Sequence, residues 1–145
     1  MTGVGETIWP QPVDLDALNA AGADTLIGHL GIVFTEFGAD WIAATMPVDA
    51  RTKQPFGLLH GGASGALAES MASMAGILVA GDSHAVVGVE LNASHVRKAV
   101  DGLVTGIARP EILGRGMQVW SVRIEDEAKK TVCVSRVTLR VLPPR

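Results

Sequence analysis

Between Leu58 and Gly81 the chain reads LLHGGASGALAESMASMAGILVAG, and apart from His60 its only acidic or basic side chain is Glu69. β-Branched residues are absent until Ile77 and Val79, the run is longer than a strand, and Gly81-Asp82 supplies a stop. These features predict one helix over His60–Gly81. Leu67, Met71, Met74 and Leu78 fall at helical spacing on one face, and Gly65, Glu69, Ser73 and Gly76 on another. The density of Gly, Ala and Ser lets other backbone approach closely on several sides. Such a helix belongs inside something, wrapped by a sheet or pressed against a partner.

The segments around it supply that wrapping. Gly31–Phe37 and Trp41–Val48 read as two strands joined through Gly38-Ala39-Asp40, with Ile42, Ala44 and Met46 sharing one face. Beyond Asp82-Ser83, strands are expected over Ala85–Val96, Gly102–Ala108 (ended by Pro110), Met117–Glu125 and Thr131–Leu142, with Asp126–Lys130 as a charged hairpin tip. In the third of these, Trp120, Val122 and Ile124 oppose Val119, Ser121 and Arg123. Upstream, Met1–Pro12 reads as a loose arm. Asp14 or Asp16 caps a short helix through Asn19–Ala21 that ends at Gly22, and Thr25–Leu30 forms a helical turn stopped by Gly31. The order is two strands, one long helix and four strands. With one helix to cover it, the sheet must be antiparallel and curve round that helix, an α+β domain spanning 1–145 with 1–25 as arm and short helix.

Composition excludes several function classes. A hydrophobic content of 48% against 19% charged in 145 residues supports one compact core. Aromatics are 4% with no Tyr, so Val, Leu, Ile, Ala and Met must build it. A net charge of -3 argues against a general nucleic-acid binder. Cys133 is the single cysteine, which rules out an internal disulfide and reads as a small buried hydrophobe in a strand. No secretory signal is visible, and the apolar stretch Ala72–Ala80 is too short to span a bilayer, so no membrane partner and a cytoplasmic location are expected.

Familiar catalytic motifs fail on spacing. Gly62-Ala63-Ser64-Gly65 is not a nucleophile elbow, because Ala66 stands where the second glycine is needed. No phosphate-binding or dinucleotide glycine loop is present, and His29, His60, His84 and His95 lack metal-ligand spacing. Three features remain. Glu69 is either a carboxylate exposed on the helix or held in an interface salt bridge, or a group in an apolar, partly dry site with strengthened basicity, suited to act as base or nucleophile. Ser73, one turn on, is within reach to orient it or its water. His60-Gly61-Gly62 is either a plain glycine turn or a helix start whose bare amides polarise a carbonyl, with the Gln54 amide upstream. Asn92–Lys98 and Leu113–Gly116 are either solvated strand ends or a cationic set (Arg97, Lys98, Arg115) for phosphates.

Taken together, QPFGLLHGGAS, the AES that begins eight residues after His60, NASHVR and LGRGxQVW resemble the hotdog-fold acyl-CoA thioesterases from about Leu26 to Leu142. The similarity is to the branch holding Arthrobacter-type 4-hydroxybenzoyl-CoA, enterobactin proofreading and 1,4-dihydroxy-2-naphthoyl-CoA thioesterases. The resemblance implies a hotdog fold and dimers that assemble into a homotetramer. It implies Glu69 as the catalytic carboxylate, the Gly61 amide as the carbonyl-polarising donor, Gln54 and His60 placing the thioester, and Ser73 near the attacking water. The site would lie across the dimer interface, with Glu69 facing His60 and Gln54 of the neighbouring subunit. CoA would be held at Gly88, at His95, Val96, Arg97 and Lys98, and at Ile112, Leu113, Gly114, Arg115, Gly116 and Met117. Positions 116 and 117 are Gly and Met where relatives often carry polar side chains, which leaves the Gly116 amide. No cofactor or metal is implied, since CoA belongs to the substrate. Phe56, Leu58, Met71 and Met74 are expected to line an acyl pocket. The rival readings on the same fold are an enoyl-CoA hydratase, which would need an Asp/His pair near the helix, and a non-catalytic acyl-CoA-binding module.

Overall fold

The computed structural model describes residues 5–144. Its elements are α1 (Leu15–Gly22), α2 (Leu26–His29), β1 (Val33–Phe37), β2 (Ile42–Pro47), α3 (Gly61–Ala80), β3 (Ala85–His95), β4 (Leu103–Leu113), β5 (Met117–Glu125) and β6 (Thr131–Leu142). The strands make one sheet in the order β1-β2-β4-β5-β6-β3, with every neighbouring pair antiparallel. β1 and β3 are its edges. α3 packs on one face of β2 to β6, so the long helix is covered as its small residues require.

Alternation decides which face meets α3. Ile42, Ala44 and Met46 on β2 are buried, as are Trp120, Val122 and Ile124 on β5. Close packing explains the glycines between them. A β-carbon on Gly76 would lie 2.7 Å from Leu139 Cδ1 and 2.8 Å from Gln118 Oε1. The Gln118 amide fastens this seam: Nε2 donates to the Gly76 carbonyl at 3.2 Å and Oε1 accepts from Trp120 Nε1 at 2.9 Å. A buried amide satisfied at both ends avoids the desolvation cost of an unpaired group. α3 is long and apolar enough by length and composition to cross a membrane, but half of its most apolar window is buried inside this fold.

Two expectations need correction. The N-terminal arm is docked, not loose. Trp9 is 6% exposed, stacks on Trp120 with ring centroids 6.4 Å apart, and donates to the Gly38 carbonyl at 2.7 Å. A large aromatic in reach of the core outweighs the Gly/Pro character of its surroundings. Met1–Val4 of that arm lie outside the described residues. Pro110 does not end its strand either: β4 continues to Leu113, and Pro110 pairs with Trp120 at a bulge. β2 pairs with β4 only as far as Ala108, so Pro110 lies beyond that ladder and its missing N–H breaks no bond there. α1 is capped by Asp14, which accepts from Ala17 N at 3.0 Å.

Candidate active site

The site begins where the loop after β2 enters α3. His60 is the N-cap: its Nδ1 accepts from the Gly62 amide at 2.7 Å, and its carbonyl accepts from Ala63 and Ser64. The first turn is therefore not wholly bare, as the glycines alone suggest. The histidine ring has taken the Gly62 donor. Gly61 N–H is the one donor of that turn with no acceptor among the described residues. It sits at the positive end of a 20-residue helix. The same bond leaves Nε2 of the neutral His60 ring as its N–H donor. Upstream, Gln54 Oε1 accepts from the Phe56 amide, and Gln54 N–H donates to the Leu58 carbonyl at 2.8 Å, which folds the Pro55-Phe56-Gly57 loop.

Glu69 is exposed on α3, without a salt bridge or a hydrogen bond to Ser73 among the described residues. It does not lie in a dry site within one chain. Its carboxylate rests on β3, where Oε1 takes the space that a β-carbon on Gly88 would need. A bulge between Gly88 and Glu90 follows directly. Glu69 and Ser73 line a cavity of about 700 Å³ together with Gly61, Ser70, Met74 and His95. Leu26, Ile27, Leu91 and Ala93 complete its apolar wall. Met71 is not part of it: at 0% exposure it fills the core against Gly106. Phe56, at 89% exposure, stands free on its loop. The contribution of α2 carries no signal in the sequence, because a four-residue helix has no periodicity. The signal on β3 was the two-residue spacing of Leu91, Ala93 and His95.

A second cavity, of about 390 Å³, lies on the other side of Gly61 and is lined by Gln54, Leu58, His95, Val96, Arg97 and Lys98. Gly61 and His95 are common to both cavities, and a β-carbon on Gly61 would meet His95 Nε2 at 2.7 Å. Arg115 is elsewhere. With Leu113, Gly114, His84 and Gln118 it borders a third cavity beside Val79 and Ala80, at the far end of α3. Arg97, Lys98 and Arg115 thus form no single cluster within one chain. The Gly114 amide is also taken, by the Met117 carbonyl at 2.9 Å. Ile112 and Met117 are exposed on the sheet, and Gly116 accepts from Val141 N at 3.0 Å. Among the described residues no group of three or more His, Cys, Asp or Glu is placed to hold a metal.

The loop that presents Gln54 is held from its other end. Asp49 accepts from the Arg51 guanidinium at 2.7 Å and from the Arg51 amide at 2.9 Å. The Arg51 side chain, and then its backbone N–H, hold the Asp49 carboxyl below its ordinary value. Thr52 is buried and donates to the Pro47 carbonyl at 2.7 Å.

Residues 56–133 match the model of the thioesterase superfamily. The chain belongs to that family. This thioesterase is 51% identical over 135 residues to the proofreading thioesterase EntH of Cronobacter sakazakii, covering 93% of the chain and 98% of the relative. It is equally 51% identical to the 1,4-dihydroxy-2-naphthoyl-CoA hydrolase of Escherichia coli K12, over 93% and 99%. Among solved structures, thioesterase HI1161 from Haemophilus influenzae superposes with a TM-score of 0.92 at 48% identity, covering 94% of this chain and 96% of that one. A mutant of thioesterase PA1618 from Pseudomonas aeruginosa gives 0.92 at 45%, over 94% and 99%. The long helix wrapped by an antiparallel sheet is therefore the hotdog fold, and the enzyme class is thioester hydrolase.

Proposed function

We propose that this thioesterase hydrolyses an acyl-CoA to free acid and CoA, with an aromatic or medium-chain acyl group, at sites shared between two copies of the chain. One observation carries the reading. Glu69 is held opposite Gly88 and Gly61 opposite His95, and these points lie seven residues apart on β3. That is about 20 Å of strand, and about 12 Å of rise on α3. A donor and a nucleophile acting on one carbonyl must each come within about 3–3.5 Å of it. One chain therefore holds two half-sites. Two copies with antiparallel α3 helices, related by a two-fold axis level with Gly65, would set Gly61 of one against Glu69 of the other. The same axis would carry the Arg115 end of one copy towards the Gln54, Arg97 and Lys98 end of the other, reuniting the cationic set around the phosphates of CoA. The free edge of β3, with Val89 61% exposed, offers a surface for such pairing, and a dimer-based tetramer is the assembly this reading expects.

In this mechanism the Gly61 amide and the α3 dipole draw charge onto the thioester oxygen. Gln54 and the Nε2 proton of His60 place the thioester. Glu69 of the partner either deprotonates a water beside Ser73, which adds to the carbonyl carbon, or adds itself to form an anhydride that water then opens. In both routes the C–S bond breaks and the electron pair leaves on CoA thiolate. The cytoplasmic location belongs to this reading on the sequence grounds given above.

Subunit mixing tests it. Glu69→Gln and Gly61→Pro each remove one half of the site. Proline suits the first helical position and removes the N–H, its β-carbon making the His95 ring shift because Nε2 lies 2.7 Å from that point, and His60 at φ -68, ψ 133 already has the backbone a following proline requires. Unfolding and refolding the two inactive proteins together should restore about a quarter of parental activity, because half of the dimers are mixed and each mixed dimer has one intact site. No recovery from two well-folded parents would rule out the shared site. A parent protein that releases no thiol from any acyl-CoA would rule out the substrate class.

A further inference from the structure

The cavity beside Glu69 is bounded on one side by α2, a turn that neither the catalytic residues nor the CoA positions use. Its backbone is pinned. Thr25 Oγ1 donates to the Gly22 carbonyl at 2.7 Å and accepts from Ile27 N at 3.2 Å, and the Ile27 carbonyl accepts from Ile32 N at 3.0 Å. The two apolar side chains of the turn differ in what they do. Ile27 is seated on Gly22, where a β-carbon would meet Ile27 Cγ2 at 2.9 Å, and it packs against the core. Leu26 is 59% exposed, is not packed against the core, and lines the cavity with Met74 and Leu91. A large aliphatic side chain on a rigid turn, facing an open cavity instead of the core, contributes little to folding. It is placed to meet whatever enters.

From this geometry we propose that Leu26 is a specificity-determining residue that sets the size of the acyl group this enzyme accepts. The inference rests on the acyl-CoA reading above and assigns the far wall of that same site to α2. A bulky or long acyl group would press on Leu26, and a short one would leave it uncovered. Because α2 is pinned through backbone and Thr25 bonds, the wall does not retreat, and the side chain at 26 defines the limit.

The test is a panel of CoA thioesters of rising size, from acetyl through benzoyl and naphthoyl to decanoyl, run on parent, Leu26→Ala and Leu26→Phe with thiol release as readout. Leu26→Ala should raise kcat/KM for the largest acyl group the parent handles poorly by about tenfold, the scale of removing methylenes from an apolar pocket. Leu26→Phe should move the optimum to smaller acyl groups. Rates on the smallest thioester should stay within about twofold in all three. Melting temperatures should agree among the three, since an exposed side chain is changed, and Leu26→Met serves as a volume-conserving control that keeps the parental profile. Three proteins of equal stability and identical acyl-size profiles would overturn the inference while leaving the thioesterase reading intact. A parent that hydrolyses no thioester in the panel would overturn both.

Discussion

Glu69 rests on Gly88: the carboxylate of the α3 residue fills the space where a side chain on the β3 residue would begin. Gly88 is thus a seat for Glu69, whatever else it touches. Gly88→Ala should displace the carboxylate and lower kcat by about tenfold or more, since small misplacements of a reacting group are costly. KM should change less. Gly88 has no positive φ, so the added methyl does not strain the backbone and the melting temperature should move little. An unchanged kcat would show that the carboxylate needs no such seat.

Glu69→Gln keeps size and hydrogen bonding and removes the charge. If the carboxylate acts in the transition state, kcat and kcat/KM fall together by about 10² or more. Because Glu69 makes no salt bridge among the described residues, the variant's thermal stability should stay level. Near-parental turnover with a weakened assembly would instead identify Glu69 as an interface residue.

His60 separates capping from chemistry. Asparagine is a strong N-cap and alanine a poor one, a difference of about 1 kcal/mol. His60→Asn should keep the melting temperature while His60→Ala lowers it. If the Nε2 proton also serves the thioester, both variants lose activity. If capping is all that matters, His60→Asn turns over like the parent.

Arg97 and Arg115 border different cavities of one chain, yet the shared-site reading brings them to one CoA. Arg97→Ala and Arg115→Ala should each raise KM for CoA thioesters more than for pantetheine analogues that lack the nucleotide. Equal effects on both substrates would make these arginines solvated surface.

Cys133 is fully buried on β6, and burial pushes its thiol above the ordinary value of 9.0. The folded protein should not react with thiol reagents near neutral pH, which leaves thiol-release assays without background from the enzyme. The proton is held more tightly folded than unfolded. This contribution is therefore complete below the unfolded value and lost as pH rises above about 9. Cys133→Ala should remove that alkaline dependence. Rapid labelling of native protein would contradict the burial.

The element order was legible because the local signals agree with the tertiary outcome. The alternation of Ile42, Ala44 and Met46 and of Trp120, Val122 and Ile124 predicted which side meets the helix, and the glycine and alanine density of α3 predicted that it would be enclosed. Pairing and distance were not legible. Pro110 reads as a break unless one knows that β2 pairs no further than Ala108. Met71 and Met74 share a helical stripe, yet the curve of the sheet buries Met71 and leaves Met74 at a cavity wall. Arg97 and Arg115 look alike at strand ends, and only the sheet order sends them to opposite ends of α3. Candidate residues such as Glu69 and Gly61 stand out in the sequence, whereas the gap between them required the fold.

Trp9 stacks on Trp120, Trp120 bonds Gln118, and Gln118 bonds the Gly76 carbonyl, so the arm, the sheet and the long helix are coupled in series. The chain has only three tryptophans, and two of them stand in this series. Intrinsic fluorescence is therefore a built-in gauge of whether the helix is seated in its sheet. Lifting the arm, by a fusion at its start or by Trp9→Ala, should therefore change the emission of Trp120 with no added label.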